Sequence, residues 1–135
     1  MDGGIQHEKQ VVSMRLWHED LIPKLPRQQL LGQHRECCAL RGLGWKKKHA
    51  TVDYIFDYSP YKLYHYHMKV MNEMKNRGYQ NDPAWENPIY RGKNCPAYDE
   101  LIPCSEDKLP YPEHDKEYLA ECLDNLAGKG IHILL

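Results

Sequence analysis

Apolar residues recur at helical spacing in three separate stretches of this 135-residue chain. Pro26 suits the first turn of a helix, and Gly42 suits the position just past a helix end. Arg77 and Gly78 form a second stop signal, and Gly128 follows the last apolar stripe. We predict helices over residues 26–41, 60–77 and 112–127. The pattern therefore predicts an all-α fold, a single compact domain of about three main helices with long irregular loops.

Irregular stretches separate these helices. Residues 42–50 are predicted to form a basic loop. Residues 51–58 are rich in β-branched and aromatic side chains but have no partner strand, so we expect them to be extended or helical. Residues 79–112 hold six prolines and are predicted to be irregular. We expect residues 1–13 to be a flexible N-terminal extension and residues 14–135 to form the domain.

Composition narrows the cellular setting. The chain has five cysteines, an odd number that makes a poor disulfide framework and favours a reducing compartment. Its N-terminus lacks the apolar segment of a secretory signal, and no apolar run is long enough to span a membrane. We therefore expect a cytoplasmic protein with no membrane partner.

The net charge of −1 hides an asymmetry between the two halves of the chain. Residues 1–78 hold 13 Lys and Arg against 8 Asp and Glu, a net charge of +5. Residues 79–135 hold 5 against 11, a net charge of −6. A basic half is typical of a surface that meets a polyanion. The alternative is a neutral protein whose charges are unevenly spread.

Two local patterns carry candidate chemistry. In the predicted first helix, Glu36 follows Arg35, and a carboxylate beside guanidinium groups suits acid–base work; the alternative is an ordinary solvated ion pair. In the basic loop, Trp45 precedes three lysines and His49, a mixture that suits phosphate contact and base stacking. The alternative there is a solvated loop that one tryptophan anchors.

The sequence indicates neither a metal site nor a phosphate-binding glycine loop. His65 and His67 are two residues apart, so on a helix they do not share a face. The chain contains neither a G-x-x-x-x-G-K nor a G-x-G-x-x-G motif. We therefore expect no cofactor and no metal ion.

Several short motifs occur in a recognisable order. Arg15 follows Met14, and the sequence QHRE occupies residues 33–36, inside the predicted first helix. A basic, glycine-containing loop comes next, and a helix then opens with KLY at Lys62 and closes with NRGY at Tyr79. In this order the chain resembles the pyrimidine-dimer DNA glycosylases of the endonuclease V type.

The resemblance covers about residues 14–80 and implies an all-α enzyme that acts as a monomer on damaged duplex DNA. It implies that the 5′ base of a cyclobutane pyrimidine dimer is released, that an amine forms a Schiff base at the sugar, and that β-elimination nicks the strand. Glu36 corresponds to the family's essential carboxylate. With the resemblance, the sequence predicts Glu36 and Met14 as catalytic and the following as DNA-binding: Arg15, Gln33, His34, Arg35, Arg41, Lys46, Lys47 and Lys48.

The chain departs from the family at the nucleophile, which in the family is the free α-amine of a threonine exposed by loss of Met. Met14 stands at that position, and thirteen residues precede it. One hypothesis is that the functional chain starts at Met14 and uses its α-amine. The other is that the lyase is lost and the chain is a non-catalytic DNA-binding module of the same fold. A lysine of residues 46–48 is a further candidate amine, and a protein-interaction domain is a third interpretation.

Overall fold

The computed structural model describes residues 15–42 and 52–135, and no strand occurs within these ranges. Three helices form its frame: α1 (Arg27–Arg41), α2 (Pro60–Asn76) and α3 (Lys116–Gly128). A 3-10 helix, Glu19–Lys24, precedes α1, and three more lie in the segments between the helices: Asp53–Asp57, Pro83–Glu86 and Ser105–Asp107. The predicted all-α fold with long irregular loops is therefore confirmed.

Helix α1 has the predicted bounds to within one residue. It ends where the Gly42 N–H donates to the carbonyl oxygen of Cys38 at 3.1 Å. A Cβ atom on Gly42 would lie 2.8 Å from the carbonyl oxygen of Arg91, closer than side-chain carbons approach backbone oxygen. Only glycine therefore fits where the end of α1 meets the loop that carries Arg91.

Helix α2 also matches its prediction, because both of its ends are set locally. The Ser59 hydroxyl accepts from the Tyr61 N–H at 3.1 Å, and Pro60 takes the first turn. At the other end Gly78 has a φ of 84°, and the Tyr79 N–H donates to the Met74 carbonyl. This left-handed glycine ends the helix as the sequence predicts.

Helix α3 starts four residues later than the prediction of 112. Before it, the His114 N–H donates to the Tyr111 carbonyl in a turn, so this segment is not helical. The Asp115 carboxylate then accepts from the Tyr118 N–H at 2.9 Å and caps the first turn. The helix continues to Gly128, and Gly130, with a φ of 83°, follows its end. The predicted bounds of this helix were thus wrong at its start.

One hydrophobic core lies between α1, α2, the 3-10 helix Glu19–Lys24 and the buried side of α3. Segment 51–58, predicted as extended or helical, contributes through its 3-10 helix. The fully buried core side chains include Leu16, Leu21, Leu30, Cys37, Leu40, Ile55, Leu63, Tyr66, Val70, Tyr111, Cys122 and Leu126.

Two predicted features lie outside the described residues: the extension over residues 1–13 and most of the basic loop over residues 42–50. Among the described residues, no helix combines the length and the apolar character that crossing a membrane requires.

Candidate active site

Helix α1 buries one face and carries polar groups on both borders of that face. Successive residues are about 100° apart around a helix, so Glu36 lies about 200° from both His34 and Cys38. Glu36 therefore borders the core on one side, and His34 and Cys38 border it on the other. Arg35 lies between these borders on the outer face and is exposed.

Gln33 binds the backbone of the segment that precedes the 3-10 helix. Its amide oxygen accepts from the Trp17 N–H at 2.7 Å, and its amide nitrogen donates to the Arg15 carbonyl at 2.8 Å. The Tyr66 hydroxyl lies 2.7 Å from the same amide oxygen. No strand within residues 15–42 and 52–135 pairs with the segment, and one side chain supplies both its donor and its acceptor. Gln33 is almost fully buried by these contacts.

Glu36 holds the same segment one helical turn further on. Its Oε2 accepts from the Arg15 backbone N–H at 2.8 Å. Burial raises the pKa of Glu36 to about 7, although this hydrogen bond and the positive charges of Lys129 and Arg35 oppose the rise. A carboxyl group that is about half protonated at neutral pH both gives and takes protons readily.

The Arg15 guanidinium is held by aromatic rings and by an acid from α3. Its Nη1 donates to Glu121 Oε2 at 2.9 Å. Its central carbon lies 5.9 Å from the ring centre of Trp17 and 5.8 Å from that of Tyr118. The carboxylate of Glu121 is exposed, so this ion pair is accessible to an incoming anion.

Lys129, just past the end of α3, completes the rim of the site. Its Nζ lies 5.8 Å from the ring centre of Trp17, and the side chain is exposed. Sequence reasoning missed Lys129, and it also missed Tyr66, Tyr118 and Glu121. Three of the four lie more than 100 residues from Arg15, and none belongs to a motif with a fixed spacing.

Arg41 is buried and points away from solvent. Its Nη1 lies 2.7 Å from the carbonyl oxygen of Trp85 and 2.9 Å from Nδ1 of His67. Its Nη2 donates to the carbonyl oxygens of Asn87 and Tyr90 at 2.9 and 3.2 Å. Both terminal nitrogens are thus engaged within the protein. DNA contact by Arg41 stays a prediction, and this geometry leaves those nitrogens no unused proton for a phosphate.

Apart from the exposed Arg35, the other predicted site residues divide into three groups. Arg15 and Glu36 are brought together, and Gln33 joins them through the backbone. His34 is half-buried on the opposite border of α1, where it contacts His67. Met14, Lys46, Lys47 and Lys48 lie outside the described residues, so their predicted roles stay predictions.

Comparison with known proteins identifies a family for the first part of the chain. A family model described as pyrimidine dimer DNA glycosylase matches residues 14–87, more than half of the chain. The matched range includes Arg15, Gln33 and Glu36 and stops before α3. No curated protein and no solved structure matches the chain significantly.

Proposed function

Because the chain belongs to the pyrimidine dimer DNA glycosylase family, we propose that it excises the 5′ base of a pyrimidine dimer in duplex DNA and then nicks the strand as an abasic-site lyase. The hydrogen bond of 2.8 Å between Glu36 Oε2 and the Arg15 backbone N–H carries this proposal. It brings a carboxyl group with a pKa of about 7 beside the peptide that joins Arg15 to Met14.

Three bonds from sugar carbons to nitrogen or oxygen break in the proposed reaction: the glycosidic bond, the C1′–O4′ bond and the C3′–O bond. An amine attacks C1′, the glycosidic bond breaks, and the base leaves with a proton from the amine. Glu36, as the acid, protonates the ring oxygen O4′ as the sugar opens to the Schiff base. Glu36, now a carboxylate, takes a proton from C2′, and the C3′–O bond breaks to release the phosphate. One residue thus serves both proton transfers because its pKa lies near neutrality.

We assign the amine to the α-amine of Met14, in a form of the chain that starts at that residue. Met14 is joined directly to Arg15, whose N–H binds Glu36. A borohydride trapping assay on abasic-site DNA tests the assignment. We expect the form that starts at Met14 to trap DNA and the longer chain to trap far less. Equal trapping by both would contradict the role of Met14 and turn attention to Lys46, Lys47 and Lys48.

We assign the grip on DNA to cations around the site. Arg15 exchanges Glu121 for a phosphate, and the exposed Arg35 and Lys129 contact the backbone on either side. Gln33 acts indirectly in this proposal, since it fixes the backbone that carries Arg15. The free cysteines suit the cytoplasmic setting expected from the sequence.

Nicking of UV-irradiated plasmid tests the role of Glu36. We expect Glu36→Gln to lower the nicking rate by about 100-fold to 10,000-fold, because the amide cannot transfer protons. Glu100→Gln is the matched control, since Glu100 is exposed and lies in a loop. Unchanged nicking in Glu36→Gln would refute the assignment. Salt-sensitive DNA binding by the wild type with no cleavage would favour the non-catalytic DNA-binding module instead.

A further inference from the structure

Three metal-binding side chains meet on the border of α1 opposite Glu36. His34 and Cys38 are one helical turn apart on α1, and His67 faces them from α2. Cys38 Sγ lies 3.8 Å from His34 Nε2 and 3.9 Å from His67 Nε2. One ligand atom from each residue lies within 4.8 Å of the other two. Two sequence-distant elements thus bring two imidazoles and a thiol to one point.

Burial of both imidazoles favours their neutral form. Burial and the charges of Arg35 and Arg41 lower the pKa of His34. Burial and the Arg41 charge lower the pKa of His67 well below its ordinary value. Neutral imidazole is the form that binds metal ions. Cys38 differs, because burial raises the pKa of its thiol to about 11, so an ion that binds it must displace a proton.

We propose that His34, Cys38 and His67 form a three-ligand site for a thiophilic d10 ion, Zn²⁺ or Cu⁺. In a tetrahedral zinc site the sulfur–nitrogen edges are about 3.6 Å and the nitrogen–nitrogen edge is about 3.3 Å, from bond lengths of about 2.3 and 2.05 Å. The observed sulfur–nitrogen separations of 3.8 and 3.9 Å are within a few tenths of an ångström of those edges. His34 and Cys38 are half-buried, so an ion can enter and keep an exchangeable fourth ligand.

A metal ion can bind His67 only if the hydrogen bond from Arg41 to this histidine breaks. Its Nη1 donates to His67 Nδ1, which requires the proton of that ring to be on Nε2, 2.8 Å from His34 Nδ1. An ion at Nε2 shifts this proton to Nδ1, so Arg41 must turn wholly to the carbonyl oxygen of Trp85, 2.7 Å away. The site therefore exchanges a hydrogen-bonded chain for a metal bridge between α1 and α2.

The surrounding charges distinguish the two ions. The charges of Arg35 and Arg41 act on His34, and that of Arg41 also acts on His67 and Cys38. The negative charge of Asp82 has a smaller effect on Cys38. Cu⁺ with one thiolate forms a neutral centre, and Zn²⁺ forms a centre with one positive charge beside those arginines. Soft thiolate and imidazole ligands accept either ion. We therefore expect the neighbouring positive charges to favour Cu⁺ over Zn²⁺, in addition to any preference of the ligands.

Metal titration of the reduced full chain tests the proposal. We expect Zn²⁺ to bind at one ion per chain, and Co²⁺ to give the near-ultraviolet band of a thiolate-bound ion. Cys38→Ser should weaken binding by at least about 100-fold, since even outer-shell changes cost 10-fold to 100-fold. Cys104→Ser is the matched control, because Cys104 is an exposed free thiol. Equal affinity in the two variants would overturn the proposal.

A histidine pair on α2 gives a second, independent test. His67→Gln removes a proposed ligand, and His65→Gln removes an imidazole two residues away that is outside the cluster. We expect only the first to abolish the cobalt band. If His67→Gln fails to fold, Cys38→Ser still decides, because Cys38 is only half-buried. Anaerobic competition with a Cu⁺ chelator then ranks Cu⁺ against Zn²⁺, and measurable binding of neither refutes the site.

Discussion

Glu36 and the pair His34 and Cys38 lie on opposite borders of α1, and burial shifts the pKa of the Glu36 carboxyl group and the pKa values of the imidazoles at the other border in opposite directions. On the Glu36 border it raises the pKa of a carboxyl group to about 7. On the other border it lowers the pKa of two imidazoles. Both follow from one cause, since burial disfavours whichever form of a group is charged. The first border becomes a titrating site at neutral pH, and the second becomes a set of neutral ligands.

Arg41→Met should give the largest loss of stability and should disturb the surroundings of His34 and His67. The change removes a buried cation whose nitrogens bind the backbone between Trp85 and Tyr90, so we expect a loss of about 3 kcal/mol in the free energy of unfolding. Urea unfolding measures it. NMR titration should show higher pKa values for both histidines, because a charge that lowers them is gone. Arg27→Met on the exposed side of α1 is the control.

Gln33→Leu should give the second largest loss of stability. It tests whether Gln33 positions the Arg15 backbone beside Glu36. The Trp17 N–H and the Arg15 carbonyl would lose their partners, which should cost about 2–3 kcal/mol of folding free energy. Nicking should fall with it while DNA binding at low salt persists. Gln28→Leu, on the exposed side of the same helix, should change neither. A folded Gln33→Leu variant with full activity would speak against the positioning role.

The pH dependence of stability should give an intermediate effect. Glu36 has a pKa of about 7 in the folded chain, above its value of about 4.3 in an unfolded chain. The folded state therefore holds the proton more tightly, and this stabilisation is complete below pH 4 and lost as pH rises through 7. The free energy of unfolding of the wild type should therefore fall by about 2 kcal/mol relative to that of Glu36→Gln as the pH rises from 5 to 8. Parallel stability curves for the two proteins would contradict the raised pKa.

Lys129→Met should give the smallest effect, a change in the pKa of Glu36. Lys129 lowers the pKa of Glu36, so its removal should raise that pKa further. The shift should be a few tenths of a unit because the lysine is exposed. The pH profile of nicking or carbon-13 NMR of the carboxyl group measures it. Lys116→Met, at the far end of α3, should leave the pKa unchanged.

The sequence predicts those parts of the fold that short-range chemistry determines. Both ends of α2 follow from Ser59 and from the left-handed Gly78. The start of α3 was missed because the Asp115 cap and the turn before it override an apolar pattern that begins earlier. The apolar pattern indicates which residues face the core. The start of a helix depends instead on which side chain accepts from the backbone N–H groups of the first turn.

The site is predictable only where a motif carries it. Arg15 and Glu36 are 21 residues apart and meet through contacts that periodicity does not reveal, so their pairing came from the resemblance. Lys129 lies beyond the matched residues 14–87, and only the folded chain brings it to the site. The cluster around His67 was missed because its partners lie on another helix, whereas the spacing along the chain pairs His67 with His65.

The hydrogen bonds of Gln33 and Glu36 to Arg15 also bear on how the protein should be produced. Because the Arg15 N–H donates to Glu36, an affinity tag joined directly to Arg15 would add atoms beside the carboxyl group whose role is tested. At the other terminus, Leu134 and Leu135 are well exposed. A purification handle after Leu135, with a cleavable leader that exposes Met14, would leave the α-amine of Met14 free.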